Sequence, residues 1–347
     1  MSADNWDGTD LKNVDYGGAI NESVLQQIFD ISRIPLPFMD LVGSGSTGNE
    51  YHSWLTDELQ KPTLGGWIVD GADAGADESK MGKRIGNHCG ILDKVVKVST
   101  RARNSDTIGG EALAYQLRQR QRELRQDVEA NALGMQGSTE SDADAGTPGV
   151  PAGLACMVEK FDNGSGGSGG TFSAGAWTGW TPGSATALTE DMVRDAAQAA
   201  WEDGGNPSHL MSVPSVIRKL SEYMFTSSSR IATLVADESD GGGARRANGS
   251  VNVFLTDFNV ELRFVPNRLQ LPYDSDGGST GDAASLFLLD PDYAELTYLH
   301  GYRVEPLAKT GLADNRQMVV DWTLTVNEPK AHRVIPDVDV AAAVTQA

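Results

Sequence analysis

The sequence predicts an α+β fold in which one long helix and several strands occupy separate stretches of the 347-residue chain. The longest helical pattern covers residues 105–134, and its apolar side chains fall on one face: Leu113, Leu117, Leu124 and Val128. A strand-rich stretch precedes it at 50–102. The clearest strand pattern, in which every second side chain is apolar, follows much later at 317–327.

The first 49 residues are predicted to form an extended N-terminal arm with little core of its own. A short helix is predicted within this arm at 21–29. Pro35 and Pro37 favour extended backbone, and the GSGSTG run at 43–48 predicts a flexible connection. We expect such an arm to lie against another surface, because it cannot fold alone.

Residues 50–104 are predicted to form a long hairpin that projects from the body. Strand-like runs lie at 50–59 and 88–102, and the residues between them carry Gly, Pro and acids without a helical period. An apolar cluster marks the predicted tip: Trp67, Ile68 and Val69. This cluster needs a covering surface, either on a neighbouring molecule or on its own domain.

The chain after the long helix is predicted to contain both helices and strands. The NGSGGSGG run at 163–170 predicts a flexible loop, and helices are predicted at 189–205, with Thr189 as the N-cap, and at 214–225. Strands are predicted at 209–213, 251–266 (two strands around a turn), 285–290, 295–308 and 317–327. The tail after Pro329 is predicted to be weakly structured.

Charge and cysteine content exclude several classes of protein. A formal net charge of −20 argues against a nucleic-acid-binding surface, which needs clustered Lys and Arg. The acidic loops at 70–79, 141–146 and 237–243 are interpreted as solvated; calcium binding is the alternative, although none has the full ligand pattern. Cys89 and Cys156 give neither a disulfide framework nor a zinc site. With no signal-peptide pattern or membrane-spanning run, we expect folding in a reducing cytoplasm.

Catalytic patterns are weak throughout. The GGSGG run at 166–170 matches a nucleophile elbow but follows no strand, and KMGKR at 80–84 has Arg where a P-loop needs Ser or Thr. The five histidines are isolated. Trp177 and Trp180 can stack on sugars, but burial at a domain or subunit interface is the favoured interpretation. The chain is therefore predicted to be no enzyme and to need no cofactor.

The order of these elements resembles the major capsid proteins of tailed phages, which have the Hong Kong 97 type fold. Three stretches resemble one subfamily of these proteins: GNHCGILDKVVKVSTRA (86–102), VNVFLTDFNVELRFVPNRLQLP (251–272) and residues 288–331. The third is the most specific, with DPDY followed by LAKTG and a strand that ends in TLTVNEP.

The resemblance implies a division of the chain into an N-terminal arm (1–49), an E-loop hairpin (50–104), a peripheral domain with a spine helix (105–150 and 301–330), an axial domain of mixed α/β structure (151–300) and a C-terminal tail (331–347). It implies a shell protein that assembles through pentamers and hexamers into an icosahedral head enclosing double-stranded DNA. The implied location is the virion, after assembly in the host cytoplasm. The implied partners are other copies of the chain, with decoration, scaffolding and portal proteins as further candidates, and no membrane.

The residues expected at contacts between subunits are Trp54, Trp67, Ile68, Lys80, Lys83, Arg84, Arg118, Arg122 and Arg125. Some relatives cross-link an E-loop lysine to an asparagine of a neighbour, and Lys80 and Lys83 lie near the predicted tip. Their polar, Gly-rich surroundings give no dry site for that chemistry, so cross-linking is not favoured. The three helix arginines can meet an acidic neighbour; a merely solvated face is the alternative.

Two other classes of protein remain as alternatives. An encapsulin-like compartment shares the fold but encloses an enzyme in place of DNA. A secreted carbohydrate-binding or hydrolytic module would explain the Trp, Gly and acid content, but it needs a signal peptide that the sequence does not show.

Overall fold

The computed structural model describes residues 35–344 except positions 60, 61, 63, 66, 72, 74, 76–78, 80, 105–111, 228–252, 259, 277–280 and 310. The helices within these residues are α1 (Pro37–Leu41), α2 (Thr100–Asn104), α3 (Ala112–Ala132), α4 (Leu154–Met157), α5 (Glu190–Glu202) and α6 (Pro214–Ser227). The strands are β1 (Gly43–Ser46), β2 (Tyr51–Thr56), β3 (Lys83–His88), β4 (Gly90–Ser99), β5 (Glu159–Lys160), β6 (Phe172–Ser173), β7 (Ala176–Trp177), β8 (His209–Ser212), β9 (Val253–Leu255), β10 (Glu261–Pro266), β11 (Ala283–Leu289), β12 (Ala294–Pro306), β13 (Ala313–Val326) and β14 (Arg333–Asp339). The predicted helix at 21–29 and the predicted start of the long helix lie outside the described residues.

Two sheets form the body of the molecule. The four-stranded sheet has the order β1-β12-β13-β4, with β12 antiparallel to β13, β13 antiparallel to β4, and β1 parallel to β12. The six-stranded sheet has the order β5-β14-β11-β8-β10-β9. The mixture of helix and sheet confirms the predicted α+β class.

The six-stranded sheet is buried on both faces. Met211, Phe287 and Val334 point into a core shared with α3 and the four-stranded sheet. The alternate side chains point into a second core with α5 and α6: Leu210, Leu286, Leu288 and Ile335. Burial on both sides explains why β11 is apolar at almost every position, as its sequence predicted for a central strand.

The long helix α3 packs across the four-stranded sheet. Leu124 and Val128 are fully buried in the shared core, and Leu113 packs on Val96 and Val98 of β4 in a smaller cluster. The predicted apolar face is therefore confirmed over the described part of the helix. The opposite side is polar and meets solvent.

Helix α5 confirms the local capping prediction. The Thr189 side chain accepts a hydrogen bond from the backbone N–H of Met192 at 3.3 Å. Gly204 follows the helix with φ of +95°, a conformation that favours glycine. Trp201 near the end of the helix lies half-exposed beside Phe258.

The strand predicted at 88–102 is present as β4, but its predicted pairing within the hairpin is wrong. The strand paired with β2 is β3, with Trp54 opposite Ile85 and Thr56 opposite Lys83, whereas β4 pairs with β13 in the four-stranded sheet. Sequence reasoning missed β3 because only Ile85 among its six residues is strongly apolar. The buried Asn87 fixes the strand by donating to the carbonyl of Leu324 at 2.9 Å and accepting from the N–H of Ala152 at 2.9 Å.

The prediction of a weakly structured tail is also wrong. Residues 333–339 form β14, which lies buried between β5 and β11. Pro336 falls where the register against β11 shifts, and Asp337 adopts φ of +52°. A proline and a left-handed residue are tolerated there because a β-bulge interrupts the ladder, which hides the strand from sequence patterns.

Two segments predicted to be flexible are held in place. Residues 43–46 of the GSGSTG run form β1, which pairs with β12 from Gly43 opposite Glu295 to Ser46 opposite Tyr298. Within the 163–170 run, Asn163 and Ser165 are buried, and Ser168 bridges to Thr181. The first run is held by strand pairing and the second by burial and a backbone bridge.

Candidate assembly surfaces

The base of the hairpin formed by β2 and β3 is fixed to the body. Trp54 packs against the shared core, and the indole N–H of Trp177 donates to the carbonyl of Gly86 at 3.0 Å. A side chain at Gly86 would begin 2.6 Å from the Tyr51 hydroxyl, so only glycine allows this close approach. Glu58 forms an ion pair with Lys330 at the start of the connecting segment. The hairpin therefore leaves the body in a defined direction.

The far part of the hairpin has a different character. Trp67, Ile68 and Val69, which we call the tip cluster, are 91%, 83% and 79% exposed. Leu64 and Met81 on either side of it are also almost fully exposed. No described residue of the body covers the tip cluster. An apolar cluster left in water in this way indicates a surface that a partner covers.

The basic residues predicted near the tip lie elsewhere or outside the described residues. Lys83 and Arg84 are on β3, beside the body: the Lys83 ammonium lies 6.0 Å from the centre of the Phe172 ring, and Arg84 donates to the Ser53 hydroxyl at 2.8 Å. Lys80 lies outside the described residues. Among the predicted contact residues of the hairpin, Trp67 and Ile68 are the ones placed at its far end.

The predicted helix arginines share one side of α3. Arg118, Arg122 and Arg125 are all exposed, whereas Arg120 turns the other way and pairs with Glu123. The guanidinium of Arg125 lies 5.4 Å from the centre of the Tyr302 ring, close enough for a cation–π contact. The three side chains therefore form a basic row in a strongly acidic chain, which we call the arginine row.

Two clefts adjoin these surfaces. One, of about 370 Å³, lies between α1, α3 and β12 and is lined by Met39, Asp40, Arg125, Tyr298 and Tyr302. The other, of about 450 Å³, lies beneath the hairpin base and is lined by Lys83, Glu159, Lys160, Phe172 and Lys330. The first combines an arginine with two tyrosines, residue types that are enriched at protein contact surfaces, whereas the second has several lysines and acids in its lining.

The sugar-stacking interpretation of Trp177 and Trp180 is wrong, because both side chains are buried in the shared core.

The two cysteines are unreactive at neutral pH. Burial raises the pKa of Cys89 to about 12 and that of Cys156 to about 11, so both thiols are protonated. Across the described residues, no three His, Cys, Asp or Glu side chains are grouped to hold a metal ion. Within the same part of the chain, no helix is long and apolar enough to cross a bilayer.

One polar junction was not predicted from the sequence. Glu129 of α3 and Asn267 after β10 are both fully buried and hydrogen-bonded to each other. The only local signal is a Glu directly after the buried Val128 on the helix. That signal does not identify the partner, which lies 138 residues further along the chain.

The chain is similar in sequence to known proteins. A family model described as SU10 major capsid protein matches residues 6–339. A major capsid protein of Escherichia phage Phieco32 is 34% identical over 109 residues, which span 31% of this chain and 31% of that relative.

Solved structures show the same fold at low sequence identity. The capsid of a native GTA particle aligns with a TM-score of 0.60 at 12% identity, over 94% of this chain and 97% of that chain. Mycobacterium phage Che8 gives 0.53 at 15% identity, over 91% and 96%. The holo-SrpI encapsulin complex from Synechococcus elongatus PCC 7942 gives 0.54 at 12% identity, over 96% and 98%.

These matches confirm the predicted Hong Kong 97 type fold. The family model covers residues 6–339, which is almost the whole chain. The chain belongs to the SU10 major capsid protein family.

Proposed function

We propose that the chain is the shell subunit of a tailed-phage head and assembles through pentamers and hexamers around double-stranded DNA. The observation that carries this proposal is the tip cluster, whose apolar side chains stand in solvent at the end of a hairpin with a fixed base. Covering such a cluster removes apolar surface from water, which stabilises a contact by roughly 25 cal/mol per Å² buried. A second copy of the chain is the partner that a shell provides.

We assign the two sheets to the two domains of the fold. The four-stranded sheet and α3 form the peripheral domain, with α3 as the spine helix, and the six-stranded sheet with α5 and α6 forms the axial domain. Residues 333–339 belong to the axial domain in this assignment, because β14 pairs with β5 and β11. The hairpin of β2 and β3 is the E-loop.

We propose that the arginine row meets an acidic surface of a neighbouring subunit. The support is charge: the chain carries 48 acids against 28 bases, so most surfaces of a neighbour are acidic. Reversal of all three charges to Glu is expected to reduce shell formation more than it lowers the stability of the free subunit, in which Arg125 also contacts Tyr302. The single variant Arg122→Glu is compared with the control Arg218→Glu. Both arginines are exposed on helices, but only Arg122 belongs to the arginine row. Equal shell yields for these two variants would show that the arginine row is a solvated face with no part in assembly.

The role that we propose is structural and not catalytic. The acidity fits a container for DNA, because like charge keeps packed phosphates from adhering to the wall. An encapsulin-like compartment is the second candidate, favoured by the similarity of this fold to an encapsulin shell. The family to which the chain belongs favours the phage head.

Electron microscopy of the purified protein, with light scattering for mass, tests the shell function. Closed angular particles, or rings of five and six, are the expected result. Particles from cells that also express the neighbouring genes are then treated with nuclease and assayed for protected DNA. Protected DNA supports the phage head, and particles that hold an enzyme and no DNA support the compartment. Monomers at every concentration, with the neighbouring genes present as well, would overturn the proposal.

A further inference from the structure

The first turn of α1 receives its cap from a distant part of the chain. Pro37 opens the helix without an N–H, and the residue before it, Leu36, has no side chain that can accept a hydrogen bond. The next two backbone N–H groups, of Phe38 and Met39, donate to the two carboxylate oxygens of Glu129, each at 3.3 Å. Glu129 therefore does for α1 what an N-cap residue normally does, from 91 residues away.

A third donor reaches the same carboxylate from the six-stranded sheet. The side-chain amide of Asn267 donates to Oε1 of Glu129 at 2.6 Å. Asn267 is itself fixed, since its backbone N–H donates to the carbonyl of Ser212 at 2.9 Å and its Oδ1 accepts from the N–H of Leu269 at 2.8 Å. The carboxylate thus joins α1, α3 and the loop after β10 at one point.

A carboxylate, which only accepts hydrogen bonds when it is ionised, suits this arrangement of three donors. An amide at position 129 would have to set its own NH2 group against one of the three N–H groups. The position is costly for a charge, because Glu129 is fully buried and no basic side chain among the described residues pairs with it. Burial raises the pKa of Glu129, while its three hydrogen bonds oppose the rise and Asp40 adds to it. A buried carboxyl group retained despite this desolvation indicates a demand for position and not for stability alone.

We propose that Glu129 is a positioning residue for assembly: its carboxylate fixes residues 35–41, the root of the N-terminal arm, against the long helix and the loop after β10. This inference rests on the proposed shell function, in which the arm reaches other subunits. Phe38 is fully buried in the shared core, so the position and direction of residues 35–41 are set at this turn. Through Asn267, that direction is tied to the six-stranded sheet.

Isosteric substitutions test the proposal, because they change hydrogen-bond polarity without changing volume. Glu129→Gln places two donors together, and Asn267→Asp places two carboxylates together. The double variant restores a donor facing an acceptor between positions 129 and 267, and the new carboxylate at position 267 still accepts from the N–H of Leu269. The remaining oxygen of Gln at position 129 accepts from Met39, whereas the N–H of Phe38, which shares Oε1 with Asn267 in the wild type, faces the new NH2 group. Each single variant is expected to speed backbone hydrogen exchange at Phe38, Met39 or both about tenfold or more and to lower the yield of closed particles severalfold. The double variant is expected to recover most of the particle yield and the slow exchange of Met39, but not that of Phe38.

The control is Glu123→Gln, which removes a carboxylate from the same helix at a partly exposed ion pair with Arg120. It is expected to leave exchange and particle yield unchanged. Wild-type exchange and yield in the single variants, or a double variant no better than the sum of the singles, would overturn the proposal. If the singles fail to fold, rescue by the double still decides. If the wild type forms no particles, the shell function fails, and exchange at Phe38 and Met39 still decides whether Glu129 anchors the arm root.

Discussion

The centre of the six-stranded sheet and the far part of the hairpin are opposite in construction. Every residue of β11 is buried, and its neighbour β14 is buried over all but its last position. Between Thr56 and Lys83, beyond the paired part of the hairpin, the described large apolar side chains are 79% exposed or more. The apolar side chains of the sheet are buried within the chain itself, whereas those of the far part of the hairpin are left in solvent.

This difference separates two kinds of stability in one chain. The free subunit is stabilised by the two cores, and we expect its unfolding to be insensitive to the hairpin tip. In the proposed shell, subunits are joined by surfaces that add nothing to the stability of the free subunit. Substitutions in the sheet are therefore expected to change the free energy of unfolding, and substitutions at the hairpin tip are expected to change assembly.

The largest expected effect on unfolding comes from the sheet. Leu286→Ala removes a fully buried side chain from the core with α5 and α6, and we expect a loss of roughly 2–5 kcal/mol in the free energy of unfolding. Leu255→Ala on the edge strand β9 is the control, because Leu255 is largely exposed. It is expected to change that free energy by less than about 0.5 kcal/mol in denaturant titrations. Equal losses would remove the contrast between core and surface.

The next effect is a dependence on pH from the buried His332. Burial lowers the pKa of His332 to about 4, Arg333 contributes to the decrease, and Nδ1 of the ring accepts from the N–H of Asp290 at 3.1 Å. The unfolded chain binds a proton near pH 6.5 and the folded chain does not until about pH 4, so stability is full above pH 6.5 and falls on acidification. We expect a loss of about 3 kcal/mol between these values.

His332→Asn is the matched variant, because its amide oxygen can accept the same hydrogen bond and cannot be protonated. The difference in unfolding free energy between this variant and the wild type, measured from pH 7 to pH 4, isolates the histidine. A constant difference over that range would show that His332 is not held neutral by burial.

A smaller effect is expected at the cap of α5. Thr189→Ala removes the acceptor for the N–H of Met192 and is expected to cost about 1 kcal/mol in thermal unfolding. Thr189→Ser keeps an acceptor and should lose much less. Identical losses for both variants would assign the effect to the packing of the threonine methyl group and not to the cap.

These elements also show what the sequence could predict. Helix α5 was found because Thr189, the apolar period and Gly204 are all local signals. Strand β14 was missed because Pro336 and the left-handed Asp337 break the pattern, and its burial depends on β11, which lies about 50 residues earlier in the chain. The tip cluster was predicted because three apolar residues stand within a polar segment.

The polar contacts were beyond sequence reasoning for a different reason. Asn87 and Glu129 look like ordinary surface residues in the sequence, and each acquires its role from donors or acceptors on distant segments. The arginine row of α3 was visible as a sequence pattern, but the side of the fold that it faces depends on how the helix packs on the sheet beneath it.

The smallest effect on unfolding is expected at the tip cluster, and it tests the central claim most directly. The measurement is a comparison of wild type and the double variant Trp67→Ser, Ile68→Ser, in both denaturant unfolding and the yield of closed particles by electron microscopy. We expect unfolding free energies that agree within about 0.5 kcal/mol, because both side chains are exposed in the free subunit. We expect few or no closed particles from the variant. Closed particles at the wild-type yield would contradict the account, since the exposed tip would then have no part in joining subunits.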